Sequence, residues 1–203
     1  MEKKTTFSHV PNFTDYMKVS VQLVDNFFEN DLNQKVILDI PAGNGLLSKE
    51  LRRLGGNVVS GDINNEDPSY SYVDMEEPFP FKNEQFDAVI CLEGIEHTMH
   101  PEILFSELSR VLKSGGLLII STPNIQCFYS RFQFLCTGYL FQFDPFDNSP
   151  LKPNISGDKG HISPVSYSQL RYYSELHNLK TLSPSGGRLK RVMSFLKNDE
   201  NFC

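Results

Sequence analysis

The chain has 203 residues, of which 39% are hydrophobic, and its formal net charge is −6. This composition provides for one folded core and excludes a disordered chain, and no apolar run reaches the roughly 18 residues of a membrane-spanning helix. The basic residues are scattered, apart from a cluster at Arg188, Lys190 and Arg191 that is typical of a solvated helix face, so a nucleic-acid partner is disfavoured and a small or lipid-like substrate favoured.

The first part of the chain alternates helices and strands. Apolar residues at helical spacing predict a helix over residues 14–30, and Thr14 is suited to cap its start. Short apolar runs rich in β-branched residues predict strands at 36–40 and 57–61, with a helix over 46–54 between them. This order is typical of parallel β-α-β units.

The same alternation continues to about residue 124. Strands are predicted at 70–73, 86–91 and 117–121, and a helix over 101–112 begins with proline, as helices often do. The sequence therefore predicts an α/β protein with a doubly wound, mostly parallel sheet flanked by helices.

The pattern changes after the fifth strand. Residues 125–146 are dense in aromatic side chains, and 144–160 is a loop rich in Pro, Asn and Asp. A helix is predicted over 167–177 and a short strand over 179–182, whereas the tail 186–203 is predicted as a helix with frayed ends. The sequence shows no clear final strand. The C-terminal edge of the sheet is therefore predicted to be either incomplete or completed by a helix.

Polar residues follow the five predicted strands, at the sheet edge where such folds bind ligands. They are Asp39, Asp62, Asp74, Glu93 and Asn124. Gly43 and Gly45 follow the first strand, where glycine admits positive φ and lets a ligand approach the backbone. Each residue alone is typical of an ordinary turn, but the ordered series predicts a cofactor site.

The segments around these positions resemble the motifs of class I, Rossmann-like S-adenosylmethionine-dependent methyltransferases. Motif I is represented by Val36-Ile37-Leu38-Asp39-Ile40-Pro41-Ala42-Gly43-Asn44-Gly45. The later motifs are represented by residues 58–63, 73–75, 86–93, 110–124 and 160–170. The resemblance implies a methyltransferase fold with S-adenosylmethionine as the methyl donor.

The resemblance also implies which residues bind the cofactor: Asp39, Pro41, Ala42, Gly43, Gly45, Asp62, Ile63, Asp74, Met75, Leu92 and Glu93. Asp39 and Gly43 would face the methionine end, and Asp62 the ribose. Asp74 and the Met75 backbone would hold adenine, while Leu92 and Glu93 would line the methyl-transfer edge.

Two positions differ from the glycine motifs of known cofactor-binding sites. Pro41 stands where the family has the first glycine of motif I, and because Gly43 and Gly45 remain, we expect the turn to tolerate it. A nicotinamide fingerprint needs a third glycine three positions after Gly45, where this chain has Ser48, so that cofactor is disfavoured.

Glu93, Glu96 and His97 have the spacing that places side chains on one helical face, and His161 could join them from a later loop. Similar Glu-x-x-Glu-His segments bind a divalent metal in some methyltransferases that resemble the ubiquinone-pathway and small-RNA 2′-O enzymes. We favour a pocket lined by these polar residues without metal; the alternative is a Mg²⁺ or Mn²⁺ site at Glu93, Glu96, His97 and His161. His97 and His161 are the candidate catalytic bases, since histidine titrates near neutrality.

We therefore predict a single methyltransferase domain over 1–203. It comprises an N-terminal helical segment (1–34), a cofactor-binding core (36–124), an aromatic lid or acceptor insert (125–160) and a C-terminal part (161–203). The predicted function is methyl transfer from S-adenosylmethionine to an oxygen or nitrogen of a small-molecule acceptor.

Two alternatives stay open beside this function: a non-catalytic S-adenosylmethionine-binding module and a metal-assisted O-methyltransferase. The polar start, Met1 to Thr5, lacks the apolar segment of a signal peptide, so a cytoplasmic location is expected.

Overall fold

The computed structural model describes residues 11–64, 67–143, 160–185 and 190–198. Its helices are α1 Asp15–Phe27, α2 Leu46–Arg53, α3 Pro101–Val111, α4 Phe128–Thr137 and α5 Tyr167–Leu176, with a 3₁₀ turn at Ile95–His97. Its strands are β1 Val36–Asp39, β2 Asn57–Asp62, β3 Ser71–Tyr72, β4 Phe86–Leu92, β5 Leu112–Pro123, β6 Leu179–Ser185 and β7 Lys190–Lys197. None of the described helices combines the length and apolarity that crossing a bilayer requires.

The described strands form one seven-stranded sheet in the order β3-β2-β1-β4-β5-β7-β6. Neighbours from β3 to β5 pair in parallel, whereas β7 is antiparallel to both β5 and β6. From β1 the chain adds β2 and β3 toward one edge of the sheet, and then returns to place β4 on the other side of β1. The strand order therefore reverses between β1 and β4, which is where doubly wound sheets bind ligands. The predicted fold class is confirmed.

The C-terminal tail differs from its prediction. Residues 190–197 form a strand inserted between β5 and β6, so the predicted tail helix is wrong. The C-terminal edge of the sheet, which the sequence did not define, is a pair of antiparallel strands. Val192 packs into the hydrophobic cluster on one face of the sheet, and Met193 and Phe195 into the cluster on the other. A strand buried on both faces lacks the polar alternation that identifies an exposed strand.

Helices cover both faces of the sheet. On one face, Leu104 and Phe105 of α3 pack with Leu118 and Phe195, and all four side chains are fully buried. On the other face, α1 and α2 bury Val24 and Leu51 against the strands. The two layers cover both faces of the sheet, and the site lies along the carboxyl edge of its parallel strands.

Local signals fix where two helices begin. The Thr14 side chain accepts a hydrogen bond from the Met17 N–H at 3.4 Å, as the sequence predicts. Ser166 and Gln169 form a reciprocal capping box at the start of α5. The loop that contains His161 leads into this cap.

Candidate active site

The turn after β1 is built by glycines in left-handed conformation. Gly43 has φ 54° and Gly45 has φ 72°, and the Ile40–Pro41 peptide bond is cis. The Ala42 N–H donates to the Gly61 carbonyl at 2.9 Å. The turn is thus tied to the end of β2 and brings Gly45 to the N-terminus of α2, an arrangement that presents backbone N–H groups to a ligand.

Asp39 lies beneath this turn and is only 2% exposed. Its Oδ2 accepts a hydrogen bond from Ser48 Oγ at 2.6 Å, and Ser48 Oγ lies 2.7 Å from Ser60 Oγ, which also accepts from Arg52 at 2.8 Å. Burial raises the pKa of Asp39 to about 7, against the lowering effect of the Ser48 hydrogen bond. A nearby cation would stabilise its charged form. Ser48, which argues against a nicotinamide fingerprint, is the residue that orients this carboxyl group.

Asp62 connects the ends of β1 and β2. Its Oδ2 accepts from the Gly43 N–H at 2.7 Å, and its Oδ1 accepts from the Asn64 N–H at 2.8 Å. Each carboxylate oxygen can accept a further hydrogen bond, so Asp62 can still receive two hydroxyl groups. The neighbouring Ile63 side chain is 46% exposed and provides an apolar surface beside it.

The segments after β3 and β4 meet the first turn at Gly94. A Cβ at this glycine would lie 2.6 Å from Pro41 Cδ, 3.0 Å from Cys91 Sγ and 3.3 Å from Met75 Sδ. Asp74, which precedes Met75, accepts a hydrogen bond from the Glu76 N–H at 2.9 Å. Three strand ends therefore converge as the sequence predicts. Gly94 could not be singled out beforehand, because its contacts with Pro41 and Met75 come from distant segments.

Tyr70 also contacts the first turn, and sequence reasoning missed it. A Cβ at Gly45 would lie 2.5 Å from the Tyr70 hydroxyl. Burial raises the pKa of Tyr70, and the carboxylates of Asp67, Asp39 and Asp62 raise it further. The hydroxyl is therefore a neutral donor held over the glycine turn.

Glu93 has φ 53° and lies just before the 3₁₀ turn, so it is not on one helical face with Glu96 and His97, as the sequence predicted. Its Oε1 accepts from Ser121 Oγ at 2.8 Å, and its Oε2 forms an ion pair with the Lys190 ammonium. Lys190 also lies over the Tyr16 ring, 5.1 Å from its centroid. The expectation that Lys190 belongs to a solvated helix face is wrong, since it lies on β7.

Glu96, His97 and His161 come together beside this pair. Each offers a ligand atom, and these atoms all lie within 4.8 Å of one another. The Glu96 carbonyl accepts from the N–H groups of Ile162 and Ser163 at 2.9 and 3.0 Å, which holds the later loop against the 3₁₀ turn. Three of the four predicted ligands are thus brought together, while Glu93 is directed elsewhere.

The electrostatics of this cluster follow from burial. The Glu96 side chain is fully buried, and within the described part of the chain neither carboxylate oxygen has a hydrogen-bond partner of normal geometry. Burial raises its pKa well above the usual range, and the nearby Glu93 raises it further. Burial lowers the pKa of His161, and His97, whose ring centroid is 4.8 Å away, lowers it further. His161 is therefore neutral at pH 7 and able to accept a proton or bind a cation.

The described part of the aromatic insert forms α4 and the turn after it. Phe128 and Leu135 are 84% and 82% exposed. Phe143, in contrast, is buried with its ring centroid 5.4 Å from that of His161. The remaining insert residues, 144–159, lie outside the described residues.

Comparison with known proteins gives consistent matches. The Ubiquinone biosynthesis O-methyltransferase of Colwellia psychrerythraea is 26% identical over 187 residues, which cover 85% of this chain and 71% of that protein. The protein of the same name from Xanthomonas oryzae pv. oryzae is 32% identical over 108 residues, which are 46% of this chain and 45% of that protein. The match to this second relative thus spans less than half of its length.

A solved structure shares the fold. The 1,6-didemethyltoxoflavin-N1-methyltransferase of Burkholderia thailandensis, solved with S-adenosylhomocysteine, superposes with a TM-score of 0.63 at 14% identity. The superposition covers 91% of this chain and 79% of that protein.

A doubly wound sheet with a glycine turn after β1 and buried carboxyl groups at the ends of β1 and β2 defines a Rossmann-like cofactor-binding protein. Residues 38–120 match the family described as "Methyltransferase domain". Residues 38–120 of this chain are therefore similar to methyltransferase domains, and the fold is shared with solved methyltransferases at 15% identity. The resemblance stated from its motifs agrees with this match.

Proposed function

We propose that this chain transfers a methyl group from S-adenosylmethionine to an oxygen atom of a small-molecule acceptor. The observation that carries the proposal is the position of Glu96, His97 and His161: they lie at the carboxyl edge of β4, next to the turn after β1. An oxygen acceptor is favoured over nitrogen because a hydroxyl group needs a proton acceptor, which this cluster supplies. The relatives named as O-methyltransferases support the same choice.

We propose the following cofactor-binding residues: Asp39, Pro41, Ala42, Gly43, Gly45, Asp62, Ile63, Asp74, Met75, Leu92 and Glu93. Asp39 and the Gly43 backbone face the methionine end, and Asp62 accepts from the ribose hydroxyls. The convergence of Pro41 and Met75 on Gly94 supports one continuous binding surface.

The reaction needs alignment and a proton acceptor. The sulfonium carbon is already activated, so the protein holds the acceptor oxygen in line with the methyl group. A bond forms between that oxygen and the methyl carbon while the carbon–sulfur bond breaks and leaves S-adenosylhomocysteine. The hydroxyl proton passes to His161 or His97. The lowered pKa of His161 keeps it neutral and ready for this step.

The proposal is tested by measuring release of S-adenosylhomocysteine with panels of phenols, catechols and amines. We expect turnover with hydroxyl acceptors, and loss of at least roughly tenfold in kcat for His161→Gln or His97→Gln, since general bases contribute about 10²–10⁴-fold. His100→Gln is the matched control, because His100 is exposed outside the cluster. Turnover with amines alone, or equal activity in all three variants, would contradict the proposal.

A metal-assisted O-methyltransferase is a second candidate. It is favoured by the buried Glu96 carboxyl group, which has no hydrogen-bond partner among the described residues and lies beside two imidazoles. Glu96, His97 and His161 fit a divalent cation, which when bound would stabilise the ionised acceptor oxygen. Two ligand atoms about 2.1 Å from one tetrahedral ion are about 3.4 Å apart. The ligand atoms here lie within 4.8 Å of one another, so they would move closer by up to about 1.4 Å on binding. Activity that is unchanged by chelation and by Glu96→Gln would exclude this candidate.

We propose that residues 125–160 form a lid or wall over the acceptor, within a single domain over 1–203. The contact between Phe143 and His161 supports it, because it brings the end of the described insert to the proposed base. The exposed rings of α4 supply apolar surface typical of ligand pockets. A cytoplasmic location stays a prediction.

A further inference from the structure

Each carboxylate oxygen of Glu93 has a partner within this chain. Ser121 donates to one carboxylate oxygen, and the Lys190 ammonium pairs with the other. The Glu93 side chain is only 15% exposed, so water competes weakly for it. Glu93 therefore needs no external cation to balance its charge.

Lys190 is held in place from several directions. It begins β7 and is in register with Pro123 at the end of β5. Its ammonium lies over the Tyr16 ring of α1 and against Glu93, and its side chain is 30% exposed. The positive charge is thus fixed at the edge of the cluster rather than free in solvent.

The cluster that remains has one carboxylate and two imidazoles. Glu96 is buried without a hydrogen-bond partner among the described residues, and His97 and His161 lie beside it. Imidazole ligands bind transition-metal ions, and their affinity for these ions rises from Mn²⁺ to Cu²⁺. Mg²⁺, in contrast, requires oxygen ligands.

We propose that Lys190 is an internal cation that holds Glu93 out of the metal-ligand set, so that Glu96, His97 and His161 take a transition-metal dication in preference to Mg²⁺. This rests on the metal-assisted candidate above. Lys190 acts in two ways: it occupies the carboxylate that would supply the second acidic ligand, and its charge repels an incoming dication.

The test is calorimetric titration of the whole chain with Mg²⁺, Mn²⁺ and Co²⁺, one ion at a time. We expect Co²⁺ and Mn²⁺ to bind the wild type at least roughly tenfold more tightly than Mg²⁺. Lys190→Met should raise the Mg²⁺ affinity at least about tenfold, because it frees the Glu93 carboxylate as an oxygen ligand. Adding Glu93→Gln to Lys190→Met should cancel the gain. Lys180→Met, an exposed lysine of β6, is the matched control.

Several outcomes would overturn the inference. If Lys190→Met leaves all three affinities unchanged while Glu96→Gln abolishes them, the metal site exists but Lys190 does not restrict it. If neither the wild type nor Lys190→Met binds any of the ions, both the inference and the metal-assisted candidate fail. Binding of S-adenosylhomocysteine to each variant, together with thermal unfolding, shows that the protein is folded and tests the cofactor site separately. Lys190→Gln replaces Lys190→Met if the latter does not fold.

Discussion

The buried carboxyl group of Asp39 makes cofactor binding depend on pH. Its pKa is raised to about 7 by burial, and we propose that the ionised form faces the cationic amino group of the cofactor. If only that form binds, about one molecule in eleven is competent at about pH 6 and about three in four at about pH 7.5. The apparent affinity for S-adenosylhomocysteine should therefore rise about eightfold between these values, and binding at the lower pH should release a proton.

The assay is calorimetry with S-adenosylhomocysteine at both pH values, in two buffers that differ in ionisation enthalpy. Asp39→Asn keeps an acceptor for Ser48 but cannot ionise, so it should bind more weakly and without pH dependence. Asp31→Asn, at an exposed position, should behave as the wild type. Equal wild-type affinities at the two pH values, with no difference between buffers, would refute the reasoning.

The same shift predicts the pH dependence of stability. The folded-state pKa of Asp39 lies above the usual value of 3.8, so the unfolded chain loses this proton first as the pH rises. The stabilising effect of the protonated carboxyl is fully present below about pH 4 and is lost as the pH rises through about 7. Asp39→Asn should therefore become more stable relative to the wild type between these values, in urea unfolding followed across the range.

Three further substitutions test the packing around the site and the core. Gly45→Ala introduces a left-handed alanine and a clash with the Tyr70 hydroxyl, so it should cost at least about 1–2 kcal/mol and weaken cofactor binding; unchanged binding would contradict the proposed role of this turn. Gly94→Ala, which places a methyl group 2.6 Å from Pro41, should lower the unfolding free energy by about 1–3 kcal/mol, and unchanged urea unfolding would show that the strand ends can move apart. Phe105→Ala in the core should cost about 3–5 kcal/mol without changing the cofactor affinity of the folded fraction.

Strong local patterns made most of the fold predictable. The β-branched runs at β1 and β2 and the helical spacing in α1 identify elements whose bounds differ from prediction by no more than about three residues. The carboxylates at Asp39 and Asp62 could be placed because parallel strands end at one edge. For these two residues, the position at the end of a strand is enough to predict that they lie at the carboxyl edge of the sheet.

Features that depend on distant contacts were not predictable. The strand β7 is buried on both faces, and its short apolar run suits a helix equally well. The position of Lys190 in the sheet could therefore not be predicted. Lys190 pairs with Glu93, which lies 97 positions earlier in the chain, and this pairing depends on the order of strands in the sheet. Tyr70 and Gly94 matter only through neighbours that the fold brings to them.

A crystal structure of this chain with S-adenosylhomocysteine tests the central claim most directly. We expect the ribose hydroxyls within hydrogen-bond distance of Asp62, the amino group beside Asp39 and the sulfur facing Glu93 and the histidine pair. A ligand bound elsewhere, or a ribose that leaves Asp62 paired only with Gly43 and Asn64, would contradict it.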